Sequence, residues 1–124
     1  MANTIVWVDI PVTDLDRARK FYATVLQADI ELMEGAPGEV AMLPMEPGSV
    51  SGTLVRSESA KPGLGATVYL DSKGDPEGMM ERAVAAGGTV LSPITNMGDR
   101  IGSIGFFIDS EGNRTGVHKP PPMT

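Results

Sequence analysis

Cysteine is absent from the 124-residue chain, and histidine occurs only once, as His118. Without cysteine the chain has no disulfide, no thiolate nucleophile and no cysteine-ligated zinc or iron–sulfur cluster. A single histidine also excludes every metal site that needs two histidines, including the iron site built from two histidines and one carboxylate. Chemistry that depends on these ligand sets is therefore ruled out by composition.

Basic residues are scarce as well, because 10 lysines and arginines accompany 16 aspartates and glutamates, giving a net charge of −6. That sign is unsuited to contacts with nucleic-acid phosphates. No apolar run reaches the ~18 residues of a membrane span, and the start of the chain lacks the basic segment of a signal peptide. We expect one soluble, cytoplasmic domain without nucleic-acid or membrane partners.

The first half of the chain has the pattern of an α+β unit, in which glycines and prolines separate short apolar runs. A β-branched run at residues 5–10 is followed by a helix whose apolar residues, from Leu15 to Leu26, lie on one face. Asp14 lies where a helix cap is expected. Three shorter strands are predicted at residues 29–34, 39–44 and 50–56.

The second half repeats this pattern after a polar linker at residues 58–63. We predict a strand at residues 65–70, a helix that begins at Asp75-Pro76 and stops at Gly87-Gly88, and strands at residues 89–93, 101–108 and 114–118. The equal spacing of strand ends across each helix supports an internal repeat. The prediction is a single domain, residues 1–119, with βαβββ modules at about 3–57 and about 64–119, and a proline-rich tail at 120–124.

Two segments carry a family resemblance. The first segment is residues 5–22, with the sequence IVWVDIPVTDLDRARKFY. The second is residues 108–114, with the sequence IDSEGNR. They resemble the opening strand and helix and the closing D-P-x-G-N hairpin of the vicinal oxygen chelate superfamily, with Ser110 where proline is usual. That superfamily includes glyoxalase I, extradiol dioxygenases and bleomycin-resistance proteins. The resemblance implies an α+β fold whose two modules form a curved mixed sheet around a cleft, in a homodimer.

Metal-dependent members of that superfamily carry histidine, glutamine or glutamate ligands on the first and last strands of each module. In this chain the corresponding positions are Trp7, Gly52, Gly65 and Gly116. None of these residues has a side chain that ligates a metal ion. The resemblance therefore implies a degenerate metal site, and we expect neither a metal nor another cofactor.

Side-chain alternation along the strands identifies the residues that line the cleft. The predicted lining residues are Trp7, Asp9, Leu54, Thr67, Tyr69, Arg114 and His118. A mostly apolar cleft with a few polar anchors is typical of a site for a small molecule.

Four of these residues have more than one interpretation. Trp7 either stacks on a ligand or fills the space of the lost metal, and Tyr69 either donates a hydrogen bond or packs across strands. Asp9 either acts as a general base or cation anchor, or forms a buried salt bridge with Arg114 or a cap on a neighbouring loop. His118 is either catalytic, or exposed or held by a structural hydrogen bond. Asp9 and His118 are the two candidate catalytic residues.

Two functions compete on this basis. The leading prediction is a metal-independent protein that binds and sequesters a small molecule in the cleft, similar to bleomycin-resistance proteins. The negative net charge favours a cationic ligand. The alternative is an enzyme of the superfamily, either a lyase, an isomerase or a dioxygenase, with an atypical or metal-free site.

Overall fold

The computed structural model of the chain describes residues 7–33, 39–56, 61, 63–64, 66–99 and 101–121. Its helices and strands follow the order β1 (Trp7–Val12), α1 (Leu15–Leu26), β2 (Glu31–Leu32), β3 (Glu39–Met42), β4 (Ser51–Arg56), β5 (Val68–Asp71), α2 (Pro76–Ala85), β6 (Thr89–Asn96), β7 (Ser103–Ile108) and β8 (Arg114–Lys119). None of the helices in these ranges has the length and apolar character needed to cross a membrane.

The strands form two four-stranded sheets with the same connectivity. Their strand orders are β1-β4-β3-β2 and β5-β8-β7-β6. In each sheet the first strand of the module pairs in parallel with the last, and the remaining pairs are antiparallel. The predicted α+β fold with two βαβββ modules is therefore confirmed. Because β1 and β5 end their respective sheets, the outer edge of each has no strand partner within the described residues.

Both helices begin at the aspartates that the sequence indicates. The Asp14 carboxylate accepts a hydrogen bond from the Arg17 amide at 3.0 Å, and the Asp75 carboxylate accepts one from the Gly78 amide at 3.0 Å. Each carboxylate satisfies an amide that has no partner inside the helix. Pro76 follows Asp75 at the first helical position, where its missing N–H costs nothing.

The bounds of β2, β5 and β6 differ from those predicted, and β5 begins at Val68. The strand predicted at residues 29–34 is reduced to Glu31–Leu32, and residue 34 lies outside the described residues. The strand predicted to end at Pro93 continues to Asn96. Proline is tolerated there because β6 is an edge strand, on which one side of the backbone needs no partner.

The helices cover one face of the sheets and form the core with it. The buried apolar residues include Ile10, Val12, Phe21, Tyr22, Leu54, Met79 and Phe107. The rings of Phe21 in α1 and Phe107 in β7 lie 5.7 Å apart, so the first helix also packs on the second module. We call the opposite, helix-free side of the sheets the open face; on β1 it carries the exposed residues Trp7 and Asp9.

The β7–β8 hairpin joins the two modules through a buried polar network. The Tyr22 hydroxyl donates to Asp109 Oδ2 at 2.6 Å, and the amides of Glu111 and Asn113 both donate to Asp109 Oδ1 at 2.8 Å. The Asn113 side-chain amide donates to the Pro11 carbonyl at 2.8 Å, which connects the hairpin to β1. The motif that resembles the D-P-x-G-N hairpin thus holds α1 and β1 against β8.

Glu111 makes a second connection, to the start of α1. Its Oε1 accepts hydrogen bonds from the Thr13 and Asp14 amides at 2.9 and 2.8 Å, and Arg17 Nε donates to its Oε2 at 2.7 Å. Burial alone raises the pKa of this carboxyl, but the hydrogen bonds from Arg17, Asp14, Thr13 and Ser110 outweigh burial and lower the pKa to about 2.

We expect this network to make the stability of the protein sensitive to acid. Because the folded pKa of Glu111, about 2, lies below its ordinary value of 4.5, the carboxylate stabilises the fold above pH 4.5. That contribution, about 2 kcal/mol, is lost as the pH falls from 4.5 towards 2. Urea unfolding of Glu111→Gln and wild type across this range should give a difference that shrinks with falling pH. A difference that stays constant would contradict the assignment.

Candidate functional site

A cavity of about 240 Å³ lies between the two modules. We call it the seam cavity, and it is lined by residues 8–11, 63–64, 66–68 and 113–115. Both β1 and β5 lie at an edge of their sheets, and residues of both strands line the cavity. Among the predicted cleft residues, it brings together Asp9 of β1, Thr67 before β5, and Arg114 of β8.

Asp9 lies on the open face of β1, directly beside Thr53 of β4. The Thr53 hydroxyl donates to Asp9 Oδ1 at 2.5 Å, and Thr53 itself is buried. The salt bridge with Arg114, one of the alternatives for Asp9, is not formed, because no nitrogen of Arg114 lies within 4.0 Å of the carboxylate. The physical reason is that β1 and β8 belong to different sheets, with the seam cavity between them.

Arg114 is positioned by aromatic rings of the second module. Its guanidinium carbon lies 4.2 Å from the centre of the Phe106 ring, at the distance of a cation–π contact. Tyr69 meets the same ring edge to face, with the ring centres 5.6 Å apart. Tyr69 thus packs across the sheet, over Gly116, where an added Cβ would overlap the tyrosine ring. These contacts fix the arginine at the cavity without neutralising its charge.

Three other predicted residues, Tyr69, His118 and Trp7, are not among the residues that line the seam cavity. His118 Nε2 is 2.7 Å from the Ile101 carbonyl oxygen, and the His118 carbonyl accepts hydrogen bonds from Ser72. Histidine therefore has a structural hydrogen bond here. Trp7 lies at the start of β1, is 39% exposed, and is not among the residues that line the cavity.

The prediction for β4 is wrong at two positions. Leu54 is fully buried in the core, beside its strand neighbours Ile10 and Ala41, and does not line a cleft. Gly52 lies on the same core side, next to Val8, whose backbone and side chain leave no room for a Cβ. The side chains of a strand alternate, so an error of one residue moves the whole set to the other face. Thr53 lies on the open face instead.

The positions that the resemblance assigns to metal ligands do not fit a metal ion. Gly52 faces the core, the Tyr69 ring covers Gly116, and Gly65 lies outside the described residues. Trp7, the remaining position, has no ligating atom. Within the part of the chain that the structure describes, no three side chains of histidine, cysteine, aspartate or glutamate form a group suited to a metal.

Three residues that shape the site were not identified from the sequence. Phe106 supports Arg114, Thr53 holds Asp9, and Asn113 lines the seam cavity. Alternation along β7 was a usable signal for Phe106, because it separates residue 106 from the buried Phe107. Asn113 belongs to the hairpin motif, and its place at the cavity depends on contacts between residues far apart in the chain.

Comparisons with known proteins agree on one family and one fold. The model of the Glyoxalase/Bleomycin resistance protein/Dioxygenase superfamily matches residues 4–117. A "Glyoxylase-like domain-containing protein" of Didymella fabae is 27% identical in an alignment of 120 residues that covers 92% of this chain and 91% of that protein. The similarity thus extends over both modules and both strands that border the seam cavity.

Solved structures of similar fold cover nearly the whole chain. A glyoxalase-related enzyme from Fulvimarina pelagi has a TM-score of 0.69 at 16% identity, over 94% of this chain and 88% of its own. TnmS3, an antibiotic binding protein from Streptomyces sp. CB03234, has a TM-score of 0.63 at 21% identity, over 96% of this chain and 97% of its own. At such identities the likeness is one of fold.

Proposed function

The chain belongs to the Glyoxalase/Bleomycin resistance protein/Dioxygenase superfamily, and from that premise we propose that it is a metal-independent protein that binds and sequesters a small molecule in the seam cavity. The observation that carries the proposal is the Tyr69 ring, which covers Gly116 at a position where metal-dependent relatives are expected to carry a ligand. Beside it, Arg114 and Asp9 supply polar anchors at a cavity. Concave sites with a few polar groups are typical of small-molecule binding.

The fold of a similar protein supports the same function. TnmS3 is described as an antibiotic binding protein, and its fold matches this chain over 96% of its length. We do not extend the proposal to the alternative enzyme, because the His118 ring is held by the Ile101 carbonyl and lies outside the residues that line the seam cavity.

A variant whose larger side chain fills the seam cavity tests the proposal. We expect Thr67→Trp to abolish binding, since Thr67 lines the seam cavity and an indole there removes most of its volume. A library of metabolites and antibiotics is screened by thermal melting, in which a ligand at 100 times its dissociation constant adds about 2.7 kcal/mol of stability. The control Thr24→Trp adds the same ring on the exposed side of α1. The proposal fails if no compound stabilises wild type, or if Thr67→Trp binds equally well.

Metal ions are expected to leave the melting temperature unchanged. The positions discussed above offer no ligating side chains, so Zn²⁺, Ni²⁺, Mn²⁺ or Fe²⁺ should give none of the ~2.7 kcal/mol that a specific site provides at 100 times its dissociation constant. The measurement is a melt of untagged protein with each ion and with excess chelator. A rise with one ion, reversed by the chelator, would contradict metal independence.

We also propose that the protein is a homodimer. The edge strand β6 has an unpaired outer edge within the described residues and carries the exposed apolar residues Val90 and Leu91. Open edges of this kind are natural sites for a second copy. Sedimentation equilibrium measures the assembly directly. A cytoplasmic location stays a prediction of the sequence.

A further inference from the structure

Two opposite charges line the seam cavity without pairing with each other. The carboxylate of Asp9 and the guanidinium of Arg114 belong to residues that line it, on strands of different sheets. No nitrogen of Arg114 lies within 4.0 Å of an Asp9 oxygen. Both residues are exposed, so each charge is solvated in the free protein and is accessible to a ligand.

Each charge is held in place by a neutral neighbour. Thr53 donates a single hydrogen bond to one oxygen of Asp9, and within the described residues no second donor reaches this carboxylate. Arg114 lies over the Phe106 ring, and its guanidinium makes no hydrogen bond to another described residue. Among the residues that the structure describes, neither the guanidinium donors nor the second carboxylate oxygen of Asp9 has a hydrogen-bond partner.

The seam cavity is small, at about 240 Å³, and therefore suits a small molecule. The apolar residues Val8, Leu64 and Val68 line the remaining wall and suit an aliphatic body.

We propose that the ligand is a small aliphatic zwitterion, whose ammonium group binds Asp9 and whose carboxylate binds Arg114. This inference rests on the proposed function and makes its ligand class specific. The net charge of −6 favours cations at a distance. Contact inside the cavity instead depends on one acid and one base, each able to form a charge-assisted hydrogen bond.

The experiment compares each zwitterion with its singly charged analogues. The probes are L-leucine with 4-methylpentanoate and 3-methylbutylamine, and 5-aminopentanoate with pentanoate and pentylamine, so that short and long charge separations are both covered. Calorimetric titration should show at least one zwitterion binding about tenfold or more tightly than both of its analogues, since each lost charge removes one charge-assisted contact.

Charge-removing variants assign the two contacts. Asp9→Asn should reduce the affinity for the zwitterion about tenfold and leave the affinity for the carboxylate analogue unchanged, whereas Arg114→Gln should spare the amine analogue instead. Both residues are exposed, so both variants are expected to fold. Asp16→Asn, on the exposed side of α1, is the matched control and should bind like wild type.

The remaining outcomes separate this inference from the proposed function. If a singly charged analogue binds as tightly as its zwitterion, or if only other library compounds bind, the zwitterion inference is wrong and the binding function stands. If the probes bind Thr67→Trp as tightly as wild type, the ligand lies elsewhere, and both proposals fail.

Discussion

Replacing Asp109 with alanine is expected to lower the free energy of unfolding by about 3–5 kcal/mol. The Asp109 carboxylate is 5% exposed and accepts four hydrogen bonds. They come from the Tyr22 hydroxyl, the Glu111 and Asn113 amides, and the Asn113 side chain. Alanine would leave these donors buried without an acceptor, and each buried unsatisfied group costs about 1–3 kcal/mol before the structure relaxes.

Because Asp109 also accepts a hydrogen bond from Tyr22, its replacement is expected to destabilise the fold more than the loss of contacts within the hairpin turn alone. Burial raises the pKa of its hydroxyl well above the ordinary value, and the neighbouring Asp109 charge raises it further, so the hydroxyl stays protonated and donates. Asp109 therefore ties the middle of α1 to the hairpin of the second module. Loss of the Asp109 carboxylate therefore weakens the contact between the modules as well as the turn of the β7–β8 hairpin.

Urea unfolding followed by circular dichroism measures the loss, because a domain of this size is expected to unfold in one step. Tyr22→Phe removes one of the four bonds and should cost about 1–3 kcal/mol. Asp109→Asn keeps an acceptor oxygen and should fall between Tyr22→Phe and Asp109→Ala, which keeps the prediction testable if the alanine variant does not fold. A loss below about 1 kcal/mol for Asp109→Ala would contradict the network's role.

Features with local causes could be predicted from the sequence. The starts of both helices follow from aspartate caps whose carboxylates bond an amide three residues later, at Asp14 and Asp75. The repeat of two βαβββ modules could be predicted because the second module has the same spacing of strands and helix as the first. These signals depend on neighbours within a few residues, which a sequence displays directly.

Features that depend on distant contacts could not be predicted. A salt bridge with Arg114 is one of the alternatives that the sequence leaves open for Asp9, but the two residues lie on strands of separate sheets, and no local pattern shows this separation. The face of β4 is another case, because its register is fixed by pairing with β1, where Val8 lies beside Gly52. The sequence of β4 has apolar residues at two successive positions, Leu54 and Val55, so it gives no clear alternation from which to choose a face.

The face of β4 can be tested by comparing two neighbouring residues. Leu54→Ala is expected to lower the free energy of unfolding by about 2–5 kcal/mol, since it leaves a void in the core. Leu54 is 0% exposed and lies beside Ile10 and Ala41, which are also buried. Val55, the next residue, is partly exposed on the open face. Val55→Ala should therefore cost about 1 kcal/mol or less.

Both variants are compared with wild type by urea unfolding, and ligand binding is measured in parallel. We expect Leu54→Ala to lose stability while its ligand affinity, corrected for the folded fraction, stays within about twofold of wild type, because Leu54 does not line the seam cavity. A larger loss of stability for Val55→Ala than for Leu54→Ala would reverse the face of the strand. Residues 52 and 54 would then lie on the ligand side, Thr53 would no longer reach Asp9, and the charge arrangement proposed for the cavity would fail with it.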